Sequence, residues 1–338
     1  MPHHIDRPLA APTSRRQLLA TGAAALALAC GMAPAAAQTK AASDKPLRVI
    51  LPLSAGSGAD GAIRAIGPSI GHALGQTLVI ENLPGAGGIT GTAQLVRAPK
   101  DGSTIAIISN NHVVNPSLYS NIPFDSIKDI TPITIIGTTP FVLVASPKLP
   151  VRNVQELIAY AKAHPDTLNY GSSGNGTILH LGAAMFVEQA GLRIPHIPYR
   201  GMGQLMNDLL SGQVQLGVVA VAPAAPHIKT GALRAIGVTS IKRSDALPDV
   251  PTIAEQGLPN YVLDGWIAAI APAGLPAAEV ERLYRGFKQG IATPEATQAL
   301  IAQGYEIKTT PPAETAAFIR DEKRRMEAVV KAANVKMD

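Results

Sequence analysis

The sequence predicts an α/β protein whose two lobes face each other across a cleft, and three observations carry that expectation. Short apolar, β-branched runs alternate with helical ones from Leu47 to Val238, the pattern of strands covered by helices in largely parallel sheets. A unit of strand, Gly/Ser loop and helix occurs twice, at 47–66 and at 168–188. Two extended apolar segments, 138–146 and 262–271, bracket the second unit. If the chain crosses at the first and returns at the second, the middle is an inserted lobe and the crossings form a hinge. The same segments also suit strands within one lobe.

The chain opens with Thr13-Ser-Arg-Arg-Gln-Leu-Leu19, an apolar stretch at 20–29, and Pro34-Ala-Ala-Ala37. Paired arginines, a short apolar region and an Ala-x-Ala end describe an export signal over residues 1–37, of twin-arginine type and cleaved after Ala37. The stretch is too short for a membrane anchor. Cys30 offers a lipid attachment point, but Ala27-Leu28-Ala29 before it is a poor lipidation signal. Either way, the expected location is the periplasm.

Leu47-Arg-Val-Ile-Leu51 then reads as a buried strand. Pro52-Leu-Ser-Ala-Gly-Ser-Gly-Ala-Asp60 follows as a loop, with Asp60 as N-cap of a helix from Gly61. A strand at 77–81 leads through Asn82-Leu-Pro-Gly-Ala-Gly-Gly88 into a helix at 88–97; that Gly-rich turn either lines the cleft or only connects the two. Strand 104–108 ends at Ser109-Asn-Asn-His112, which puts Asn111 at a strand's carboxyl end, where α/β sheets place ligands. Beyond it come strand 141–145, helix 154–164 and the short strand 168–170. Helix 177–190, strand 194–197, helix 203–211, strand 215–221, helix 223–229 and strand 233–238 continue the alternation. The last third is helical, at 277–291, 294–302 and 313–333, and is expected to pack back on the first lobe. The expected lobes are 38–140 with 265–338, and 141–264.

Composition removes several classes of function. Without the leader the formal net charge falls from +5 to +3, and the one basic run, Lys323-Arg-Arg325, follows Asp321-Glu322 on a solvated helix face, so nucleic acid is not a partner. Past Cys30 there is no cysteine, which excludes disulfides, thiolate metal sites and cysteine nucleophiles. The histidines show no metal-ligand spacing, and no cofactor is expected. Trp266 is the only tryptophan, a poor basis for stacking sugars or bases.

The candidate chemistry sits in Gly171-Ser-Ser-Gly-Asn-Gly-Thr-Ile-Leu-His180. Its glycines let the backbone approach a ligand, and Ser172, Ser173, Asn175 and Thr177 offer neutral groups where the first helical N–H donors are free. Such a loop at a helix start binds an anion without a cationic side chain. Ser54, Ser57 and their glycines repeat that chemistry, so a cleft between the two loops suits a small carboxylate. Tyr199 and Arg200 follow another strand, and with Val221 and Asp264 they are candidates for the far wall, Arg200 being suited to a second carboxylate.

Two enzyme readings compete. Gly56-Ser-Gly58-Ala-Asp-Gly61 is a literal G-x-G-x-x-G with Glu81 further on, the ingredients of a nicotinamide-dependent oxidoreductase. Against it, Pro52 to Ala55 separate the first glycine from its strand, and Asp60 would set a carboxylate near the pyrophosphate. Ser173 lacks the second glycine of a nucleophile elbow, and His180, three residues into a helix, reads as structural. No catalytic residue is expected.

Several phrases identify the chain more narrowly. Glu81-Asn-Leu-Pro-Gly-Ala-Gly-Gly88, Asn115-Pro-Ser-Leu-Tyr119, Leu168-Asn-Tyr-Gly-Ser-Ser-Gly-Asn-Gly-Thr177, Ile197-Pro-Tyr-Arg-Gly201, Leu209-Leu-Ser-Gly-Gln213, Leu247-Pro-Asp-Val-Pro-Thr252 and Ala271-Pro-Ala-Gly274 together resemble the Bug receptors, the periplasmic solute-binding components of tripartite tricarboxylate transporters. The resemblance implies a two-lobe periplasmic-binding-protein (flytrap) fold with a ligand cleft between lobes and two hinge-strand crossings. It implies a small carboxylate ligand held by loop backbone and hydroxyl groups with ordered waters. Here those map to Ser54, Ala55, Gly56 and Ser57 with Asp60, and to Ser172, Ser173, Gly174, Asn175 and Thr177. It further implies the membrane components of a transporter as partners of a monomeric receptor; a receptor that feeds a sensor kinase would look the same. The first loop departs from the family's usual Pro-Phe-Pro-Pro-Gly-Gly-Ser-Thr-Asp: Ser54 and Ser57 gain hydroxyls and Ala59 loses one.

Overall fold

A computed structural model describes Met1 and residues 45–332, so the export signal and Cys30 lie outside the described residues. Strand β1 (Leu47–Leu51) has β2 (Leu78–Asn82) and β3 (Thr104–Ser109) parallel on either side. Its four apolar residues are fully buried, as an interior strand of a two-faced sheet requires. On the far edge of β3 lies β9 (Asp264–Pro272), antiparallel.

The strand that organises the molecule is β4 (Ile130–Ala145), 16 residues long. From Ile130 to Pro140 it pairs antiparallel with β9, and β10 (Glu306–Ile307) lies on its other edge. From Phe141 to Ala145 it pairs instead with β7 (Leu216–Ala220) and β8 (Arg234–Val238), both antiparallel. Parallel pairing then adds β5 (Tyr170–Ser172) to β7 and β6 (His196–Pro198) to β5. The expectation of largely parallel sheets is corrected: the outer strands are parallel, but every pair that β4 or β9 makes is antiparallel. One strand leaves the first half and one returns, so the two must run in opposite senses.

Helix α1 (Gly58–Leu74) covers the first sheet with α8 (Ala277–Ile291) and α9 (Pro294–Ala302). The α1–α8 contact is close enough to demand Gly290, where a Cβ would stand 2.5 Å from the Ile70 Cα. Residues 86–88 form a 3₁₀ turn into α2 (Ile89–Val96), and α3 (Asn111–Leu118) follows β3. The second half carries α4 (Val154–Ala163), α5 (Ile178–Gln189), α6 (Met202–Ser211) and α7 (Val221–Lys229). The last helix, α10 (Pro312–Ala332), packs on α3, α5 and β4 and so touches both halves. Among the described residues no helix is long and apolar enough to cross a membrane.

Helix α3 and the first half of β4 have no counterpart in the sequence reading. Pro116 sits inside α3, and Pro132 and Pro140 inside β4, where proline ordinarily signals a break. Register shifts at Pro132/Thr134 and Ile135/Gly137 absorb the interruption in β4.

Candidate ligand cleft

The first loop leaves β1 through buried Pro52 and exposes Ser54, Ala55 and Gly56, with Gly56 at φ 76. Helix α1 begins at Gly58, and its N-cap is Ser57, whose Oγ accepts from the Asp60 N–H at 3.3 Å. This corrects the assignment of Asp60 as cap. Asp60 lies inside the first turn, and its carboxylate is committed to the protein. Oδ2 accepts from Gly56 N (2.9 Å), while Oδ1 accepts from Asn82 Nδ2 (3.0 Å) and Arg64 Nε (2.9 Å). Burial pushes its pKa up, but the Gly56 amide, Asn82 and Arg64 outweigh that and hold it below the ordinary value. Asp60 therefore shapes the loop and has no free carboxylate to offer a ligand.

The second loop is built on histidines. Strand β5 runs to Ser172, two residues further than expected, which turns that side chain into the interior. Ser172 Oγ donates to Gly174 O (3.0 Å) and accepts from Gly174 N (3.2 Å) and His196 Nε2 (2.7 Å), so its hydroxyl braces the loop. Thr177 caps α5: its Oγ1 accepts from His180 N (3.2 Å) and donates to Gly174 O (2.9 Å). His180 Nδ1 accepts from Gly176 N at 3.1 Å, and the His180 and His196 rings stack 3.8 Å apart beside Tyr170. Burial pulls both histidines down to about 4, with the mutual repulsion of their charged forms adding to His180, so both are neutral near pH 7. That leaves half-buried Ser173 and Gly174 and exposed Asn175 on the open side of the loop.

The two halves meet at Asn111. Its Oδ1 accepts from Ile178 N at 3.0 Å, the first N–H of α5, directly after Thr177. The neighbouring Asn110 fixes the start of α3 to the crossing strand, accepting from Trp266 N (3.0 Å) and donating to Asp264 O (2.9 Å). Loop 52–57 reaches the same junction through a small recess that Pro52, Leu53, Ser109 and Asn111 all line.

The far-wall candidates divide. Tyr199 is tied to its own half: its Oη donates to Asp208 Oδ2 at 2.7 Å, and burial and that carboxylate push it up to about 12. The Val221 side chain is fully buried as the first residue of α7, so only its backbone can meet a ligand. Arg200 is exposed and engages no partner among the described residues. Asp264 sits where β9 begins, its carboxyl unpaired among the described residues and raised to about 6 chiefly by burial. Sequence reasoning missed the uncapped start of α7, close to Gly304, and the His112 and Asn115 side chains of α3. A helix that follows its strand with no polar cap was the one available signal for α7.

The dinucleotide motif is not one in three dimensions. Gly61 faces only the Gln303 side chain, where a Cβ would stand 3.0 Å from Oε1, rather than a strand, and Glu81 is ion-paired with Arg48 at 2.7 Å.

Comparison with known proteins agrees with this geometry. Residues 62–335 match the tripartite tricarboxylate transporter family receptor. The chain is similar to the periplasmic binding protein BugD, at 32% identity and TM-score 0.81 over 87% of this chain and 99% of that one. It is similar to Rpa4515 of R. palustris with adipate, at 30% identity and TM-score 0.82 over 87% and 99%. MatC of Rhodopseudomonas palustris with bound malate is similar at 26% identity and TM-score 0.78, over 85% and 99%. The protein has the two-lobe α/β flytrap fold of periplasmic solute-binding proteins, with a cleft between the lobes and two hinge-strand crossings. From sequence match and architecture together, the chain belongs to the tripartite tricarboxylate transporter family of receptors.

Proposed function

We propose that this chain is a non-catalytic periplasmic receptor, exported by residues 1–37, that captures a small carboxylate as a monomer for the membrane components of a tripartite transporter. The observation that carries the reading is the contact of Asn111 Oδ1 with Ile178 N, which brings the starts of α3 and α5 from opposite halves to one point. Helix starts favour negative charge, and the hydroxyls of Ser54 and Ser173, which cap no helix, stand on the two Gly/Ser loops. The exposed Ala55, Gly56 and Asn175 and the half-buried Gly174 add backbone that a ligand can approach. That Rpa4515 carries adipate and MatC carries malate supports the class of ligand.

We place the lobe boundaries at the crossings, giving 38–140 with 265–338 and 141–264. The reading is supported by the change of partner in β4 between Pro140 and Phe141, and by β9 beginning at Asp264. A thermal-shift screen against mono- and dicarboxylates, amino acids, aromatic acids and NAD(P) tests the function. Ligand at 100 times its Kd should add about 2.7 kcal/mol of apparent stability. Stabilisation by NAD(P) and by none of the acids overturns the receptor reading.

A further inference from the structure

On the return crossing the chain's ties change sides between Leu263 and Asp264. Up to Leu263 they go to the second half: Tyr261 Oη donates to Gly182 O in α5 (2.8 Å), and Leu263 N donates to Thr239 O just past β8 (2.8 Å). From Asp264 on they go to the first half, through the Asn110 bonds to Asp264 O and Trp266 N. Val262 and Trp266 therefore stand on opposite sides of the hinge.

Helix α10 reaches both. Glu322, 8% exposed, accepts from Trp266 Nε1 at 3.1 Å, and the indole meets the Phe318 ring edge-on at 5.6 Å. A carboxylate at that depth needs a cation, and Arg325, one turn on, supplies it through Nε (2.7 Å) and Nη2 (3.0 Å). The third arm of the same guanidinium, Nη1, donates to Val262 O at 3.4 Å. Such a grip needs a planar fork with donors on three nitrogens, which a lysine does not have. Trp266, Glu322, Arg325 and Val262 thus span the hinge in side chains, beside the backbone that also spans it. The longest bond of the series is the last, on the second half's side, where rotation about the crossing is felt first. The neighbouring pair of Arg324 with Asp321 is exposed and lies within α10.

We infer that Arg325 is a positioning residue for the hinge: with Glu322 it latches the return crossing to α10 and limits how far the two halves swing apart when the cleft is empty. For the receptor proposed above, the latch raises the fraction of empty molecules already near the binding geometry, and the apparent affinity rises with that fraction. The latch forms without a solute, so it can be read whatever the cleft binds, and its failure leaves the receptor reading untouched.

Past Cys30 the chain has no cysteine, so Thr90→Cys and Gln204→Cys give the mature protein two unique sites for spin labels. Both residues are exposed, in the first turns of α2 and α6, the helices that follow the outermost strands β2 and β6. The labels therefore stand on opposite lips of the cleft, and pulsed dipolar spectroscopy on the empty protein reads their separation. Arg325→Lys keeps a cation for Glu322 but lacks the fork, and Glu322→Gln keeps an acceptor for Trp266. In both, the distribution should broaden and its mean should lengthen by more than about 2 Å. Arg324→Gln removes a charge from the same helix and should leave the distribution unchanged. If Glu322→Gln does not melt cooperatively, Arg325→Lys decides alone. Distributions that superpose on that of the unaltered labelled protein overturn the inference, and so does an equal shift in Arg324→Gln. A shorter mean in Arg325→Lys overturns it too, since the bond would then hold the halves apart.

Discussion

His180 and His196 stack with centroids 3.8 Å apart directly beneath the 172–177 loop, and each holds it by a different bond. His180 accepts the Gly176 N–H, and His196 donates to Ser172 Oγ. Protonation of His180 removes the acceptor, and protonation of both rings sets two like charges face to face. Both rings have folded pKa values of about 4 against 6.5 unperturbed, so between these limits the unfolded chain binds more protons than the folded one. Stability is therefore full above about pH 6.5 and is lost as pH falls from 6.5 towards 4. Thermal melts across that window should show the decline, and His196→Phe should lessen it, the rest coming from His180 and from His112, which burial also pulls down to about 4. A wild-type melting temperature that stays level from pH 7 to 4.5 would contradict the assignment.

Asp60 gives a second test. Asp60→Ala removes the acceptor of the Gly56 N–H and leaves Asn82 Nδ2 with Leu53 O alone and Arg64 with Asn82 Oδ1 alone. The expected cost is about 1–3 kcal/mol in urea unfolding, with weaker carboxylate binding because the loop loses its shape. Unchanged stability and affinity would mean that the loop holds its shape without this carboxylate.

Ser173 and Thr177 should separate affinity from stability. Thr177→Ala removes the α5 cap and should cost about 0.5–2 kcal/mol of stability besides affinity. Ser173 makes only a 3.5 Å contact with Thr177, so Ser173→Ala should leave the melt nearly unchanged and weaken ligand binding alone, by roughly ten- to 150-fold if its hydroxyl meets the carboxylate. If the double variant binds as tightly as the wild type in calorimetry, the carboxylate lies elsewhere.

Arg200 stands in solvent, so its attraction for a distant carboxylate should be that of a surface pair, at most about 1 kcal/mol, or about fivefold. Arg200→Ala should weaken a dicarboxylate by no more than this and leave its monocarboxylate analogue alone. A loss of a hundredfold confined to the dicarboxylate would show instead that Arg200 turns into the cleft on closure.

Local chemistry made much of the molecule legible. The bounds 277–291 and 294–302 for α8 and α9 follow from apolar spacing, and β1 from an unbroken apolar run between turn residues. The two Gly/Ser loops stood out for the same reason. Which hydroxyl faces outward did not, because Ser172 and Ser173 differ only in whether His196, on another strand, reaches them. Asp60 misled through a partner likewise: its position suits a cap, and only Arg64 and Asn82 together explain why its carboxylate points back to Gly56. His112 and Asn115 were silent because what leaves His112 Nδ1 and Asn115 Oδ1 unpaired among the described residues is their surroundings, never the residue alone.

The position of β9 between β3 and β4 also fixes an order of assembly. A chain emerging amino-terminus first completes β1, β2 and β3 early, yet β3 keeps a bare edge until residue 264 arrives. Everything from 141 to 263 must be made in between, and the second half can pair its own strands meanwhile. The first sheet closes last, by long-range pairing, which is the slow kind. Until then its edge is open to wrong partners. A substitution that weakens β9, such as a proline at Ala268, should therefore leave the second half folded while the first remains prone to aggregate.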